Sequence, residues 1–125
     1  MSKVAVSIEE ILFRRAYCTP LKNFMNPDGS ATSRVFKLRD KDNGELSVDI
    51  SSLTTKEKSV GDPNRFILFE FENKIVNELK LNTYKDPLPD GANDAHAVIV
   101  GMDIKDDVTP GKLAKASRRI LFSPT

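Results

Sequence analysis

The sequence predicts an α+β fold: a curved, predominantly antiparallel sheet supported by short helices and a carboxyl-terminal helix. Three observations carry this. Leu46, Val48 and Ile50 alternate with Ser47, Asp49 and Ser51, and a period of two sets the aliphatic residues on one strand face. Phe66 to Phe71 and His96 to Met102 are apolar runs of strand length, one ending short of a polar helix-or-strand stretch and the other at a polar turn. These repeated strand signals argue against a helical bundle, and the absence of regular strand-helix alternation argues against a doubly wound sheet. A chain of 125 residues suits one compact domain, residues 1–125, fraying at both ends, with no repeat, low-complexity tract or linker.

The elements follow in order. Ser7 and Glu10 match a capping box, so a turn of helix is expected from Ile8, passing into a strand that carries Arg14 and Arg15 and ends before Pro20. Pro27-Asp28-Gly29 marks a turn. Val35 to Arg39 reads as extended, and Asp42-Asn43-Gly44 would join it to the Leu46–Ile50 strand as a hairpin, because Asn and Gly tolerate positive φ. Thr54 and Glu57 form a second capping box for a short helix over residues 55–60, stopped by Gly61-Asp62-Pro63. Phe66 to Phe71 is a strand with Phe69 and Phe71 on one face, whereas residues 73–81 fit a helix or a strand. Asp86 to Gly91 is a stiff connection suited to the rim of a pocket. Thr109 and Pro110 open the last helix as N-cap and first residue, with Leu113, Ala116, Ser117 and Ile120 facing inward and Lys112, Lys115 and Arg119 outward.

Composition narrows the function classes. Nineteen Lys and Arg against eighteen Asp and Glu leave a charge of +1, which disfavours a general nucleic-acid or membrane binder while leaving room for a local basic patch. Cys18 is the single cysteine, so no intrachain disulfide or Cys-rich metal centre is available, and a structural thiol in a cytoplasmic setting is expected. No apolar run approaches the length of a membrane span. Neither a Walker sequence nor a dinucleotide fingerprint is present, and no cofactor is implied. Asp103, Asp106 and Asp107 lack the ordered ligand pattern of a calcium-binding hand and read as a solvated turn.

Three groups of residues carry candidate chemistry. His96 is the only histidine and can exchange a proton near neutral pH, with Asp94 two positions before it placed to orient the ring if the strand is continuous. Ser47 and Asp49 share the polar face of their strand, where Asp49 can accept a proton or a ribose-like hydroxyl bond, although alternation on a half-exposed sheet gives the same pattern without a site. Arg14, Arg15, Arg34 and Arg39 offer donor forks for phosphate or carboxylate, but they are interspersed with Glu9, Glu10, Asp40 and Asp42, so solvated faces and surface ion pairs are the simpler reading.

Two functions from different classes follow. The first is a small interaction or accessory domain that binds a protein partner or itself, with Lys112, Lys115 and Arg119 contacting an acidic surface. The second is a nucleotide- or phosphoester-processing enzyme, with His96 transferring protons, Arg14 or Arg34 stabilising an anion, Ser47 contributing to binding, and Asp49 or Asp94 orienting ligand or imidazole. A cleft that gathers these groups favours the second; separated, solvent-facing side chains favour the first.

Overall fold

The computed structural model describes residues 4–18 and 23–122. Ser7 opens a turn in which its hydroxyl accepts from the Glu9 amide (3.2 Å) and its carbonyl from the Glu10 amide (3.1 Å). No helix forms there. The Glu10 carboxylate accepts instead from the Ser52 hydroxyl (2.8 Å), so the expected reciprocal cap is replaced by a tertiary bond. The chain then enters β1 (Ile11–Tyr17). The stop expected at Thr19 and Pro20 lies outside the described residues, as do the terminal positions expected to fray.

The Val35–Arg39 segment is not a strand, and the expected hairpin does not form. Ser33–Val35 is a 3-10 turn, followed by irregular backbone and a second 3-10 turn at Asp40–Asp42. The physical reason is burial. Val35, Phe36 and Leu38 pack across the sheet (1, 0 and 4 % exposed), and the Phe36 ring meets Phe71 edge-on at 5.1 Å. A chain that lies over a sheet cannot also pair at its edge. Asn43 and Gly44 do adopt the expected positive φ (53° and 77°) and lead into β2 (Leu46–Ile50), whose strand neighbours are distant in sequence.

The remaining elements are α1 (Lys56–Val60), β3 (Phe66–Glu72), α2 (Asn73–Glu78), β4 (Asn82–Lys85), β5 (His96–Val100), α3 (Val108–Ala116) and β6 (Arg118–Ile120). Thr55 rather than Thr54 caps α1, accepting from the Lys58 amide (3.1 Å). Gly61 ends it with φ 71°, and a Cβ there would press to 3.3 Å from the Arg15 guanidinium. Of the ambiguous stretch 73–81, Asn73–Glu78 is helical, and the chain then turns into β4. The terminal helix stops at Ala116, so Ile120 and Arg119 belong to an edge strand and not to the expected helix faces. Its start is tied by Asp106, whose carboxylate accepts from the amides of Val108 and Thr109 (2.8 and 2.9 Å).

The described residues form one open antiparallel sheet in the order β4-β5-β2-β1-β3-β6, so the fold is α+β as the sequence implies. One face carries Leu12, Phe69, Phe71, Val48, Ile50 and Ile99 and is covered by Val35, Phe36, Val76, Leu113 and Ala114. The opposite face is covered only in part: Phe13 and Leu68 pack against Val60 of α1, flanked by Phe66, Ile120 and Phe122. Ser47, Asp49, His96, Arg15 and Tyr17 lie on that second face, beyond this small cluster. No helix among the described residues is long and apolar enough to cross a membrane.

Candidate functional site

β1 pairs with β3 along its whole length, from Ile11–Glu72 to Tyr17–Phe66. Its ladder with β2 holds only at Leu12–Ile50 and Phe13–Asp49. Beyond that point the two strands part, and a cleft of about 470 Å³ opens between them, within the range of small-molecule sites. Its lining comes from β1, Ser47 to Asp49 of β2, the crossing segment 34–41 and α1, with Asn93 and His96.

Arg14 occupies the parting. Its Nε donates to the Val35 carbonyl and its Nη1 to the Ser47 carbonyl, both at 2.8 Å. Burial, and then the nearby charge of Arg39, push its pKa down to about 10, so the group remains a cation at neutral pH. Two of its five N–H donors are thus spent on neutral oxygens. None of its nitrogens is buried without a partner, so Nη2 keeps access to the cleft.

Around Arg14 stand Arg15 from β1, Arg34, Lys37, Arg39 and Lys41 from the crossing segment, and Lys58 from α1. Lys37 pairs with Asp107 and Arg39 with Asp42 (3.5 Å). Among the described residues the other five cations enter no ion pair. A single carboxylate, that of Asp49, joins the described lining. Neutral donors hold it: Ser59 Oγ gives a hydrogen bond to one oxygen (2.6 Å) and Asn93 Nδ2 to the other (2.9 Å). Seven cations facing one carboxylate, in a chain of charge +1, concentrate positive potential at this cleft.

His96 faces Asp49 across the β2–β5 ladder, yet its Nδ1 turns to the Asp86 carbonyl at 2.8 Å, with the Asp86 carboxylate at 3.3 Å. A carbonyl only accepts, so Nδ1 carries a proton and Nε2 is the basic nitrogen of the neutral ring. Asp94 does not fill its expected role. It is exposed in the turn before β5, which begins only at His96, and the acid beside the imidazole is Asp86.

The cleft therefore gathers Arg14, Arg34, Ser47, Asp49 and His96, and leaves out Asp94. Ser47, Asp49 and His96 are neighbours on one face but make no mutual hydrogen bond of a triad, since Asp49 is engaged by Ser59 and Asn93. Lys112 and Lys115 stand exposed on α3, away from the cleft lining, and Arg119 sits on β6 with its guanidinium against the Met25 sulfur (3.1 Å). Sequence reasoning passed over Lys37, Lys41 and Lys58, and also Ser59 and Asn93. The signal for the first two is present in Arg34-Val-Phe-Lys37-Leu-Arg39-Asp-Lys41, where cations flank the residues that bury.

No three His, Cys, Asp or Glu side chains converge as a metal site among the described residues. Asp103 and Asp106 bond amides of their own loop and helix, and Asp107 meets Lys37. The Cys18 thiol is half-buried, and its burial pushes its pKa up, away from a reactive thiolate. No protein-family model, curated protein or solved structure matches the chain.

Proposed function

We propose that the cleft binds a phosphate-bearing small ligand and that the protein is a nucleotide- or phosphoester-processing enzyme. The observation that supports this reading is the convergence of Arg14, Arg15, Arg34, Lys41 and Lys58 on one concave site without carboxylate partners among the described residues. Arg15, Arg34, Lys41 and Lys58 are exposed and, with Arg14, line a shared space of ligand size. Phosphate oxygens arriving there replace water around guanidinium groups that are already oriented, Arg14 by two carbonyls.

His96 supplies the chemistry. With Nδ1–H fixed on the Asp86 carbonyl, Nε2 takes a proton from an attacking water as the water oxygen bonds to phosphorus. The P–O bond to the leaving group breaks, and the protonated imidazole returns the proton to the departing oxygen. Arg14 and Arg34 carry the charge that builds on the phosphoryl oxygens. Asp49 keeps Asn93 and Ser59 in place at the same end of the cleft.

Calorimetric titration of the full chain with inorganic pyrophosphate tests the binding. Affinity should fall steeply between about 50 and 200 mM salt, as expected where several phosphate contacts form, and Arg34→Gln should weaken it about tenfold. No heat at low salt, or equal affinity in the variant, would reject the anion site. A second reading, an interaction domain for an acidic partner, draws on the exposed Lys112 and Lys115, which are unpaired among the described residues.

A further inference from the structure

We propose that the open edge of β6 takes up an extended acidic peptide of a partner protein as an added strand. The edge is separate from the cleft, since none of its residues lines it. The two ends of the sheet differ. At the β4 end, residues 4–6 lie along the strand: the Lys85 amide donates to the Val4 carbonyl (2.7 Å) and the Val6 amide to the Thr83 carbonyl (2.9 Å). At the other end β6 pairs with β3 on one side, and among the described residues no strand or isolated bridge lies beyond it. Residues 118–122 make no further backbone–backbone hydrogen bond within that set. The outward N–H and C=O groups of such a strand are a template for another chain.

Side chains decide which chain. Arg118 shares a face with Glu70 and bonds it at 2.9 Å. Arg119 leaves the opposite face beside Phe69, with its guanidinium against the Met25 sulfur and in no ion pair among the described residues. Lys115 stands exposed three residues before the strand, and Leu121 just after it is 71 % exposed. A second copy of this chain is a poor occupant. Antiparallel pairing of two β6 strands about Arg119 sets the two arginines opposite each other, and like charges directly opposite are destabilising. The same arginine selects a strand that carries acids. Antiparallel register, the stronger pairing, then specifies the segment: apolar residues opposite Phe122, Leu121 and Ile120, followed by acids opposite Arg119 and Arg118.

Calorimetry of the full chain at low salt with the end-blocked peptide Ser-Val-Leu-Val-Glu-Glu-Ser tests this. The peptide should bind, and a version with Lys for both Glu should bind roughly 10-fold more weakly or worse. Of two versions N-methylated at alternate residues in opposite phase, one should lose roughly 10-fold or more, because the N–H groups that face β6 are gone, and the other should match the parent. Arg119→Glu should reverse the preference between the Glu and Lys peptides, a result that loss of folding cannot mimic. No heat with the Glu peptide overturns the proposal. Equal binding of the parent and both methylated forms also overturns it, in favour of charge attraction without strand addition. So does a stable dimer in sedimentation whose formation slows hydrogen exchange of residues 118–122, in favour of a second copy.

Discussion

The Arg14 guanidinium donates to the Ser47 carbonyl at 2.8 Å, bridging two strands at the place where their ladder stops. A side chain thus substitutes for backbone pairing, and the space it leaves above it is the cleft. The same bond joins fold to cleft, since it links β1 to β2 and orients a cation in the cleft lining.

Arg14→Lys should damage both. A lysine keeps the charge but cannot bond Val35 O and Ser47 O with one planar fork. Urea denaturation should show a loss of about 1–3 kcal/mol, the scale of hydrogen bonds to a charged group. Pyrophosphate affinity should fall as well. The pH dependence has a defined sign: the folded pKa, near 10, lies below the ordinary arginine value, so burying the charged group costs stability at neutral pH. That cost shrinks as pH rises above about 10. Anion binding beside Arg14 offsets it, so pyrophosphate should raise Tm more in the wild type than in Arg14→Lys.

Asp49→Asn tests the one acid of the described lining. The amide keeps an acceptor for one neighbour and meets the Ser59 hydroxyl, which can reverse its donor role. The fold should survive with a Tm change of a few degrees. Removing a negative charge from a cation-lined cleft should tighten pyrophosphate several-fold at low salt, with the gain shrinking as salt is added. Weaker binding of ADP but not of pyrophosphate would instead make Asp49 a contact for the ribose.

His96→Gln separates chemistry from binding. Glutamine retains a donor for the Asp86 carbonyl but offers no basic nitrogen. Turnover of a phosphoester substrate should fall about 100-fold or more, with ADP affinity within twofold of wild type. Unchanged turnover would remove His96 from the mechanism.

Asp106→Ala addresses the last helix. The hydrogen bonds from Thr109 above all, and from Val108, hold the Asp106 carboxyl below its ordinary value of 3.8. A lowered folded pKa means stabilisation that is present above 3.8 and lost as pH falls through the folded value. The variant should melt below the wild type at pH 7, and the difference should vanish in strong acid. Thermal scans at both pH values measure it. Because Lys37 donates to the Asp106 carbonyl (3.1 Å) and pairs with Asp107, loosening this loop should also weaken salt-dependent binding in the cleft modestly.

Local pattern in the chain determined much of the architecture. Period-two alternation located β2, aromatic density located β3, the apolar run from His96 located β5, and Asn43-Gly44 supplied its positive-φ turn. These signals depend on residues adjacent in sequence, so the sequence carries them whole. It also named Arg14, Arg34, Ser47, Asp49 and His96 as chemically capable. What it could not decide was who meets whom. Val35 to Arg39 has the pattern of a strand, yet Val35, Phe36 and Leu38 gain more by covering the sheet than by pairing at its edge, and this turns Lys37, Arg39 and Lys41 toward the cleft. Asp94 is nearest to His96 in sequence, but the turn before β5 directs it to solvent and strand pairing of β4 with β5 brings Asp86 in its stead. Tertiary structure alone made these choices, because burial of apolar surface and satisfaction of polar groups are settled between segments far apart in the chain, and local propensity has no access to that competition.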